Sequence, residues 1–249
     1  MELELTAVGA REEKFLVNVL SYPSPSIEIM RMRLVELAML GVKRIILGGR
    51  VLLGRVPVLG KGTTSIVVKG VHACKGIVTI KVRRIDSNRR SMLREAKLLK
   101  IANSVGVGPH LVAASRNFVV WEFVDGEPLE VWLSKVRDRN RIRRVVRGIV
   151  MQAYQLDKIG LAHRQLSRVK DHILVTLNDK PIILDFESAS MTSKKSNVTQ
   201  VLQALLISNR LVSPVIREAL GLNIADVVET LRKYKRNRDI ECLITALKL

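Results

Sequence analysis

Residues 160–190 read GLAHRQLSRVKDHILVTLNDKPIILDFESAS, and titratable side chains interrupt two short aliphatic runs in this stretch. The runs, at residues 173–175 and 182–184, predict two short strands joined by a turn. His163 comes before them, and Asp185 with Phe186 and Glu187 follows directly. A histidine loop, two strands and an acidic tip are typical of a nucleotide and metal site.

The composition is that of a folded protein. The chain has 249 residues, of which 47% are hydrophobic and 26% charged, which excludes a disordered polymer. A chain of this length buries roughly 70–75% of its unfolded surface, so it needs no disulfides for stability. The formal net charge of +19 favours phosphate-bearing partners. It predicts either an RNA or ribonucleoprotein partner or a basic surface that is merely solvated.

Nothing in the sequence predicts export or membrane insertion. The start, MELELTAVGAREEK, lacks the basic-then-apolar pattern of a signal peptide, and no apolar run approaches the ~20 residues of a spanning helix. Cys74 and Cys242 lie far apart and outside any metal-binding spacing, as in reduced intracellular proteins. We therefore expect a soluble, cytoplasmic protein without a membrane partner.

The period of the hydrophobic residues divides the chain into three parts. Residues 1–42 predict a short helical N-terminal extension, residues 43–125 a β-rich N-terminal lobe and residues 126–249 a helical C-terminal lobe. The turn signature Asp125-Gly126 stands at the boundary between the last two. Strands first and helices afterwards predict an α+β architecture.

Local patterns predict one hairpin, two helices and one helix break within these parts. A hairpin that turns on two glycines is expected at residues 44–53. A long helix at residues 141–160 has an apolar stripe and an opposite face of arginines, which is either solvated or bound to RNA. A further helix is expected at residues 197–209, and a break in helical structure in the basic stretch at residues 233–238.

Two polar features fall among the strands. Gly60 and Gly62 would let backbone amides approach phosphate oxygens, although a hairpin that only turns has the same pattern. Lys81 stands inside an apolar run, where a lysine is more often on an exposed strand face. Glu95 follows fourteen residues later in an amphipathic helix. A strand lysine paired with a helix glutamate would aim its ammonium at a phosphate, whereas Glu95 alone would be a surface charge.

In this order the segments resemble the protein-kinase fold, over about residues 58–190. GKGTTSIV resembles G-x-G-x-x-G-x-V with Ser65 at the third glycine, VTIK resembles V-A-I-K with Thr79 at the alanine, and DFE stands in place of D-F-G. About sixty residues follow DFE, and no A-P-E segment is among them. The chain is therefore more similar to small atypical kinases: the RIO kinases, the KEOPS-complex kinase, the lipopolysaccharide core kinases and, above all, the archaeal predicted serine/threonine kinases of RIO-like kind.

The resemblance implies a two-lobed protein-kinase-like fold with a reduced C-terminal lobe, and it implies an ATP site. The glycine segment would cover the phosphates, the Lys81–Glu95 pair would hold the α- and β-phosphates, and Asp185 would ligate Mg²⁺. The backbone of Glu122 and Val124 would bind the adenine edge, between flanking apolar side chains. The implied nucleotide contacts are Gly60, Gly62, Thr63, Thr64, Val67, Thr79, Lys81, Glu122, Val124 and Leu174.

The catalytic loop departs from the family pattern H-R-D-L-x-x-x-N. In HRQLSRVKDH, Gln165 stands where the family has its catalytic aspartate. The loop is two residues longer than the pattern, and counting back from the strand at residues 173–175 puts His172 at the position of the metal-binding asparagine. Glutamine can orient a hydroxyl but cannot take its proton, and imidazole is a poor Mg²⁺ ligand. Asp171 is a candidate surrogate carboxylate, and the structural alternative remains open for His163 and His172. The implied catalytic residues are Lys81, Glu95, Gln165, Asp171 and Asp185, and the implied metal ligands are Asp185 and His172.

The sequence thus predicts a Mg-ATP-dependent atypical serine/threonine kinase with a protein substrate. The glutamine at position 165 leaves open a nucleotide-binding ATPase or pseudokinase that docks on RNA or a ribonucleoprotein. The missing activation segment leaves open a small-molecule or sugar kinase.

Overall fold

The computed structural model describes residues 2–4 and 10–249. Met1 and residues 5–9 of the acidic start, where no signal peptide is expected, lie outside this range. Within the described residues the chain forms ten α-helices and twelve β-strands, with antiparallel pairing, which is the predicted α+β class. The chain divides into two compact units, Met1–Lys100 with His110–Phe123 and Ile101–Pro109 with Val124–Leu249.

The first unit is built on an antiparallel sheet. The strands of the unit are β1 (Glu2–Glu4), β2 (Val42–Ile46), β3 (Val51–Leu53), β4 (Val56–Val58), β5 (Gly60–Lys61), β6 (Ser65–His72), β7 (Gly76–Arg83), β8 (Leu111–Ala114) and β9 (Phe118–Glu122). β3 and β4 form a separate two-stranded sheet. The helices are α1 (Ala10–Leu20), α2 (Ile27–Met39) and α3 (Leu93–Asn103), the last of which continues past the division after Lys100. The sheet has the order β1-β2-β6-β7-β9-β8, with β5 also paired to β6, so β7 is an interior strand.

One face of this sheet packs on α1 and α2. Because successive strand residues point to opposite faces, the even-numbered residues of β6, β7 and β9 lie on the same side. Among them Ile66 and Ile80 are fully buried in one hydrophobic core with Leu16 of α1 and Leu37 of α2. The helices at residues 1–42 therefore share a core with the sheet.

A buried arginine joins α2 to the turn between β8 and β9. Arg33 exposes 3% of its surface, and its guanidinium donates to the Leu20 carbonyl and, at 3.3 Å, to the side-chain oxygen of Asn117. One turn later on α2, Glu36 accepts from the backbone amide (3.1 Å) and the side-chain amide (2.7 Å) of Asn117. Burial and the nearby charge of Arg83 lower the pKa of Arg33 to about 10, so it remains a cation at neutral pH.

The prediction of a hairpin at residues 44–53 is wrong. β2 pairs with β1 and β6, whereas β3 pairs with β4. The glycines between β2 and β3 do not form a tight turn. Gly49 has a φ of +128°, and a Cβ atom there would lie 2.0 Å from the carbonyl oxygen of Val58. The glycine is required because two backbone segments meet at this point.

The second unit is mainly helical. Its helices are α4 (Leu129–Lys135), α5 (Arg139–Lys158), α6 (Val169–His172), α7 (Asn197–Gln203), α8 (Ser213–Leu220), α9 (Ile224–Asn237) and α10 (Ile240–Ala246), and its strands are β10 (Gly126–Pro128), β11 (Ile173–Thr176) and β12 (Pro181–Ile183). The two strands predicted between His163 and Asp185 are confirmed as the antiparallel pair β11–β12. The helix expected at residues 197–209 is confirmed, with α7 continuing directly into a π-helical turn at Ala204–Ser208.

Helix α5 is the central helix of this unit. Asp138 caps its N-terminus by accepting from the amides of Asn140 (2.7 Å) and Arg141 (3.0 Å). The predicted apolar stripe is confirmed, since every member is buried: Ile142, Val145, Val146, Ile149, Val150, Ala153 and Leu156. Burial of this stripe provides the apolar area that stabilises the unit.

The helix break expected at residues 233–238 comes only at the end of that stretch. Helix α9 runs through most of this basic stretch and ends only where Arg238 adopts the left-handed conformation, with a φ of 58°. Val227, Leu231 and Tyr234 are buried at helical spacing. The apolar period therefore continues beneath the basic side chains. No helix in the described part of the chain is long and apolar enough to cross a membrane.

The Arg33 network predicts a strong difference between two arginines of α2. Replacing Arg33 by methionine leaves buried acceptors without their donor, so the free energy of unfolding should fall by about 1–3 kcal/mol. Arg31 has 74% of its side chain exposed and lies 3.9 Å from Glu13. Arg31→Met should therefore change the same quantity by less than about 0.5 kcal/mol. Urea unfolding measures both variants, and equal effects would refute a structural role for Arg33.

Candidate functional site

The ammonium of Lys81 is buried against the carboxylate of Glu95 in the first unit. Lys81 lies on the interior strand β7 and Glu95 in the first turn of α3, and their Nζ and Oε1 atoms are 2.7 Å apart. Each side chain exposes 6% of its surface. Lys81 is therefore not on an exposed strand face, as a strand lysine usually is. The negative charge of Glu95 offsets the desolvation of the ammonium.

The strand register places three expected nucleotide contacts on the same face as Lys81. Residues directly opposite each other in antiparallel strands share a face, and Lys81 is opposite Val67, which is opposite Gly60. Thr79 precedes Lys81 by two residues and so also points to this side. This polar face of the sheet, comprising Gly60, Val67, Thr79 and Lys81, is opposite to the face that packs on α1 and α2.

The tip of the β5–β6 hairpin is held from the end of β7. The Gly62 amide donates to the Ser65 carbonyl at 2.8 Å and closes the turn. The guanidinium of Arg84 donates to the Gly62 carbonyl, and the Arg84 amide donates to the Thr64 carbonyl, both at 2.9 Å. Asp86 accepts two hydrogen bonds from the same guanidinium, at 2.9 and 2.6 Å, and so orients it. The glycine segment is therefore anchored at its tip.

The fold itself does not require glycine at positions 60 and 62. Neither Gly60 nor Gly62 has a φ in the left-handed region, and a Cβ atom would meet its nearest neighbours at 3.7 and 3.5 Å, which is ordinary contact. Gly70 differs, because a Cβ atom there would lie 2.5 Å from the side chain of Ile80. The tip of the hairpin thus presents backbone without side chains at Gly60 and Gly62. The Thr63 amide adds a hydrogen-bond donor that has no acceptor among the described residues.

The residues expected at the adenine ring fall in both units. Glu122 ends β9 in the first unit, with its amide bonded to the His110 carbonyl at 3.0 Å and its carboxylate exposed near Lys75. Val124 is the first residue of the second unit after β9 and is half-buried. Leu174 is half-buried on β11.

In the second unit, His163 is fully buried and neutral. Its Nε2 lies 2.8 Å from the Leu184 carbonyl, and because a carbonyl only accepts, Nε2 carries the proton. Burial lowers the pKa of His163 to about 4. The ring packs edge-on against the rings of Phe186 (5.1 Å between centroids) and His172 (5.4 Å). His163 therefore positions the backbone immediately before Asp185.

Asp157, in the last turn of α5, organises the start of α7. Its carboxylate accepts from the Ser196 hydroxyl at 2.8 Å, from the Asn197 amide at 2.7 Å and from the Val198 amide at 3.2 Å. It also accepts from the Asn197 side chain at 2.8 Å. These four donors satisfy the carboxylate and fix the side chain of Asn197.

Asn197 connects the hydrogen bonds of Asp157 to the loop that contains His163. Its side chain is fully buried, donates to the Leu161 carbonyl and accepts from the backbone amide of His163, both at 2.8 Å. We call this continuous chain of hydrogen bonds, from Asp157 through Asn197 and His163 to Leu184, the loop brace. It ties α5 and α7 to the residue that precedes Asp185.

Asp185 itself has an unusual backbone. Its φ of 65° is in the left-handed region, which few residues other than glycine adopt and which aspartate and asparagine tolerate best. Such conformations cluster at functional sites. The side chain is 33% exposed, and its Oδ2 lies 3.8 Å from Nδ1 of the buried His172.

Glu187 brings a second carboxylate to Asp185. The Glu187 amide donates to Asp185 Oδ1 at 3.3 Å, and carboxylate oxygens of the two side chains lie within 4.8 Å of each other. Mg²⁺ prefers such hard oxygen ligands to the imidazole of His172. Within this unit, Asp185 and Glu187 could therefore hold such an ion.

The remaining residues of the loop divide into a buried and an exposed set. Gln165 is half-buried, and its carbonyl accepts from the Arg168 amide at 2.9 Å. The His172 carbonyl accepts from the Leu184 amide at 2.8 Å, which joins α6 to the end of β12. Asp171 is exposed on α6, and its carboxylate makes no hydrogen bond or ion pair with any described residue. The structure thus brings His172, but not Asp171, to Asp185.

Comparison with known proteins adds one relative. No protein-family model matches the chain. The chain is 33% identical over 118 residues to the uncharacterized protein MJ1211 of Methanocaldococcus jannaschii, in an alignment that covers 46% of this chain and 98% of that protein. The two chains belong to one family. Since that archaeal relative is uncharacterized, membership in the family assigns no activity.

Several residues of the site were not predicted as participants, among them Glu187, Arg84 and Asn197. Glu187 could have been found from the sequence, because it ends the DFE motif, but Asp185 was the one residue of this motif expected to bind the metal. Arg84 and Asn197 had none, because their partners are distant or are backbone atoms: Asn197 lies 34 residues from His163 and 40 from Asp157. Local patterns do not report such pairings.

Substitution of the Lys81–Glu95 pair separates its structural contribution from its chemistry. Lys81→Met leaves the Glu95 carboxylate buried without its cation and should lower the free energy of unfolding by about 3–5 kcal/mol. Adding Glu95→Leu removes that charge and should restore most of the loss. Denaturant unfolding of the two single variants and the double variant gives the coupling.

The matched control is the exposed pair of Lys75 and Glu122 in the same unit, 3.7 Å apart with side chains 47% and 48% exposed. Lys75→Met should change the free energy of unfolding by less than about 1 kcal/mol. A Lys81→Met effect no larger than this would show that the ammonium is not buried in solution.

Proposed function

We propose that the chain is an atypical, RIO-like kinase of archaeal type, which transfers the γ-phosphoryl group of Mg-ATP to a serine or threonine hydroxyl of a protein. The observation that carries the proposal is the buried Lys81–Glu95 pair, on a face of the sheet that also presents Gly60, Val67 and Thr79. The proposal includes a two-lobed protein-kinase-like fold and a cytoplasmic location.

Stability alone is a poor reason for the Lys81–Glu95 pair. Moving an ammonium and a carboxylate out of water costs several kcal/mol, and apolar residues of the same volume are often as stable or more so. A buried ammonium oriented by a carboxylate can instead serve to bind an anionic ligand. This is the arrangement that holds the α- and β-phosphates in kinases.

The glycine segment supports the same ligand. Glycine at positions 60 and 62 is not explained by φ or by crowding within the chain, whereas a phosphate close to the backbone would explain it. The Thr63 amide adds a donor without an acceptor in the described residues. Arg84, oriented by Asp86, would keep the segment in place when it binds.

Asp185 and Glu187 would hold Mg²⁺, with the loop brace fixing the backbone before them. When bound, the ion neutralises charge on the phosphoryl group that is transferred. His163 is neutral and bonded to a carbonyl, so its contribution is positional. Gln165 would orient the accepting hydroxyl by a hydrogen bond, because an amide cannot take the proton.

A second candidate is a nucleotide-binding ATPase or pseudokinase. Gln165 lacks the carboxylate of a general base, and Asp171 is exposed rather than directed to Asp185. Water would then be the acceptor, or transfer would be lost and binding retained. A small-molecule kinase is consistent with the same residues, since it needs no platform for a peptide.

A basic surface for RNA or a ribonucleoprotein remains part of this second candidate. The net charge of +19 supports it. Two arginines of α5 are occupied within the chain, however. Arg141 makes two hydrogen bonds of 2.7 Å to Asp179, and Arg147 donates to the Leu249 carbonyl at 2.8 Å. Fewer arginines of this helix are therefore available for phosphates than the sequence suggests.

The glycine segment can be tested without damage to the fold. Gly60→Ala and Gly62→Ala should leave the free energy of unfolding unchanged or raise it by about 0.4–1 kcal/mol. The same variants should bind Mg-ATP at least about tenfold more weakly, a loss of about 1.4 kcal/mol. Gly48→Ala is the control, because Gly48 also lacks a left-handed φ and has no atom within 4 Å of a Cβ. Titration calorimetry should find its affinity unchanged, and equal affinity in all three variants would rule out phosphate binding by this segment.

Transfer of labelled γ-phosphate tests the reaction itself. Asp185→Asn keeps a residue that tolerates the left-handed backbone but removes the charge, so transfer should fall at least about a hundredfold, because a catalytic metal contributes several kcal/mol. Gln165→Asp should raise transfer about tenfold or more if this position meets the accepting hydroxyl. Asp171→Asn should have little effect, since its side chain is exposed.

The Lys81→Met/Glu95→Leu variant serves as a folded negative control. Label on protein supports the kinase, and label released only as inorganic phosphate supports the ATPase. Full transfer by Asp185→Asn and by this double variant would exclude both. Loss of transfer in Asp171→Asn alone would instead identify Asp171 as the surrogate base.

A further inference from the structure

The second unit contains a cavity that the proposed reaction does not use. It has a volume of about 420 Å³ and lies among the end of α5, residues 193–196 and the end of α9. Cavities of roughly 300–1,000 Å³ are the usual size of small-molecule sites. It is therefore large enough for a small ligand.

The cavity is strongly basic. Its lining includes Lys158, Lys194, Lys195 and Arg238, and Asp157 is the one carboxylate among the described residues that line it. Asp157 already accepts four hydrogen bonds from Ser196, Asn197 and Val198, so its carboxylate is directed to the start of α7. None of the four cations forms an ion pair with a carboxylate of a described residue. Four cations against one carboxylate give the cavity a net positive charge.

Hydroxyl groups complete the set of donors. Tyr154, Tyr234 and Ser193 line the cavity along with the cations. Tyr234 exposes only 3% of its surface, and burial raises the pKa of its phenol to about 12, so it keeps its proton at physiological pH. Ammonium, guanidinium and hydroxyl donors around a small volume are the groups that bind phosphate oxygens.

The tyrosine rings are poorly placed to stack on nucleic-acid bases. The Lys158 ammonium lies over the ring of Tyr154, 6.0 Å from its centroid, and the Arg238 guanidinium lies over Tyr234 at 5.8 Å. Binding of single strands relies on open aromatic faces for successive bases. These cation–π contacts occupy such faces, which favours a compact anion over an RNA strand.

We propose that this cavity binds a phosphate monoester, either free as a small metabolite or carried on a phosphorylated side chain. Leu161 and Ser196, which line the cavity, flank Asn197 in the loop brace. A bound phosphate would therefore stabilise the brace that positions the backbone before Asp185. The binding step itself does not depend on kinase activity.

The test is an NMR titration of the full chain at constant ionic strength, with inorganic phosphate and O-phosphoserine as probes. Both should shift the amides of Leu161, Ala162 and Lys195 in a saturable way. Lys158→Gln combined with Lys194→Gln should weaken this binding at least about tenfold, which corresponds to about 1.4 kcal/mol. All the replaced side chains are exposed, so the fold should be unaffected.

The matched control is Lys180→Gln combined with Lys235→Gln. It removes the same charge from the same unit, and Lys235, like Lys158, is in the last turn of a helix, but neither residue lines the cavity. Its affinity should stay within about twofold of the unaltered chain, which is below 1 kcal/mol. Equal weakening in both variants, or shifts that spread without saturation over the basic surface, would overturn the proposal.

Two further probes identify the source of the phosphate. A phosphoserine peptide that binds more tightly than O-phosphoserine, and loses affinity in the cavity variant, supports a phosphorylated side chain. Tighter binding of free O-phosphoserine supports a metabolite. A uridine oligonucleotide that shifts the same amides more strongly than either, with the same loss in the variant, would contradict the proposal and make the cavity an RNA site.

Discussion

The first unit is arranged around one buried ion pair. An ammonium inside a sheet must have a counter-charge, and Glu95 supplies it from the first turn of α3, where a carboxylate also benefits from the helix dipole. This fixes α3 against the polar face of the sheet at β7. It also explains why β7 alternates strictly, with Val78, Ile80 and Val82 in the core and Thr79 and Lys81 on the other side.

The two faces of the sheet differ in what they contribute: the apolar face packs into the core, and the polar face carries the candidate site. α1 and α2 cover the apolar face, and their connection reaches the glycine segment as well. Tyr22, between the two helices, lies under the cations of Lys61 and Arg84, each 5.0 Å from its ring centroid, and its carbonyl accepts from the Ile85 amide at 3.0 Å. The N-terminal helices therefore support the tip that carries Gly62, although the sequence suggested only an appended element.

Features that depend on residues close together in sequence could be predicted, whereas features that depend on distant partners could not. The stripe of α5 and the β11–β12 pair follow from local periodicity, and both were correct. The pairing of Lys81 with Glu95 was one of two alternatives from the residues alone, and the family resemblance favoured it. The partners of β2, the continuation of α9 and the role of Asn197 depend on distant contacts or on burial beneath charged residues. Patterns along the chain contain no record of these.

The loop brace orders the backbone of the loop despite the loop's unusual side chains. If only side-chain identity mattered, Gln165 and His172 would mark a site that has lost its function. In the structure, hydrogen bonds run from the fully buried Asn197 through the neutral His163 to the Leu184 carbonyl, and the left-handed Asp185 follows directly. A left-handed aspartate is strained relative to ordinary backbone and persists only where its surroundings enforce it. Phosphoryl transfer depends mainly on positioning and charge neutralisation. For the proposed reaction, a braced Asp185 would therefore matter more than the absence of a carboxylate at position 165.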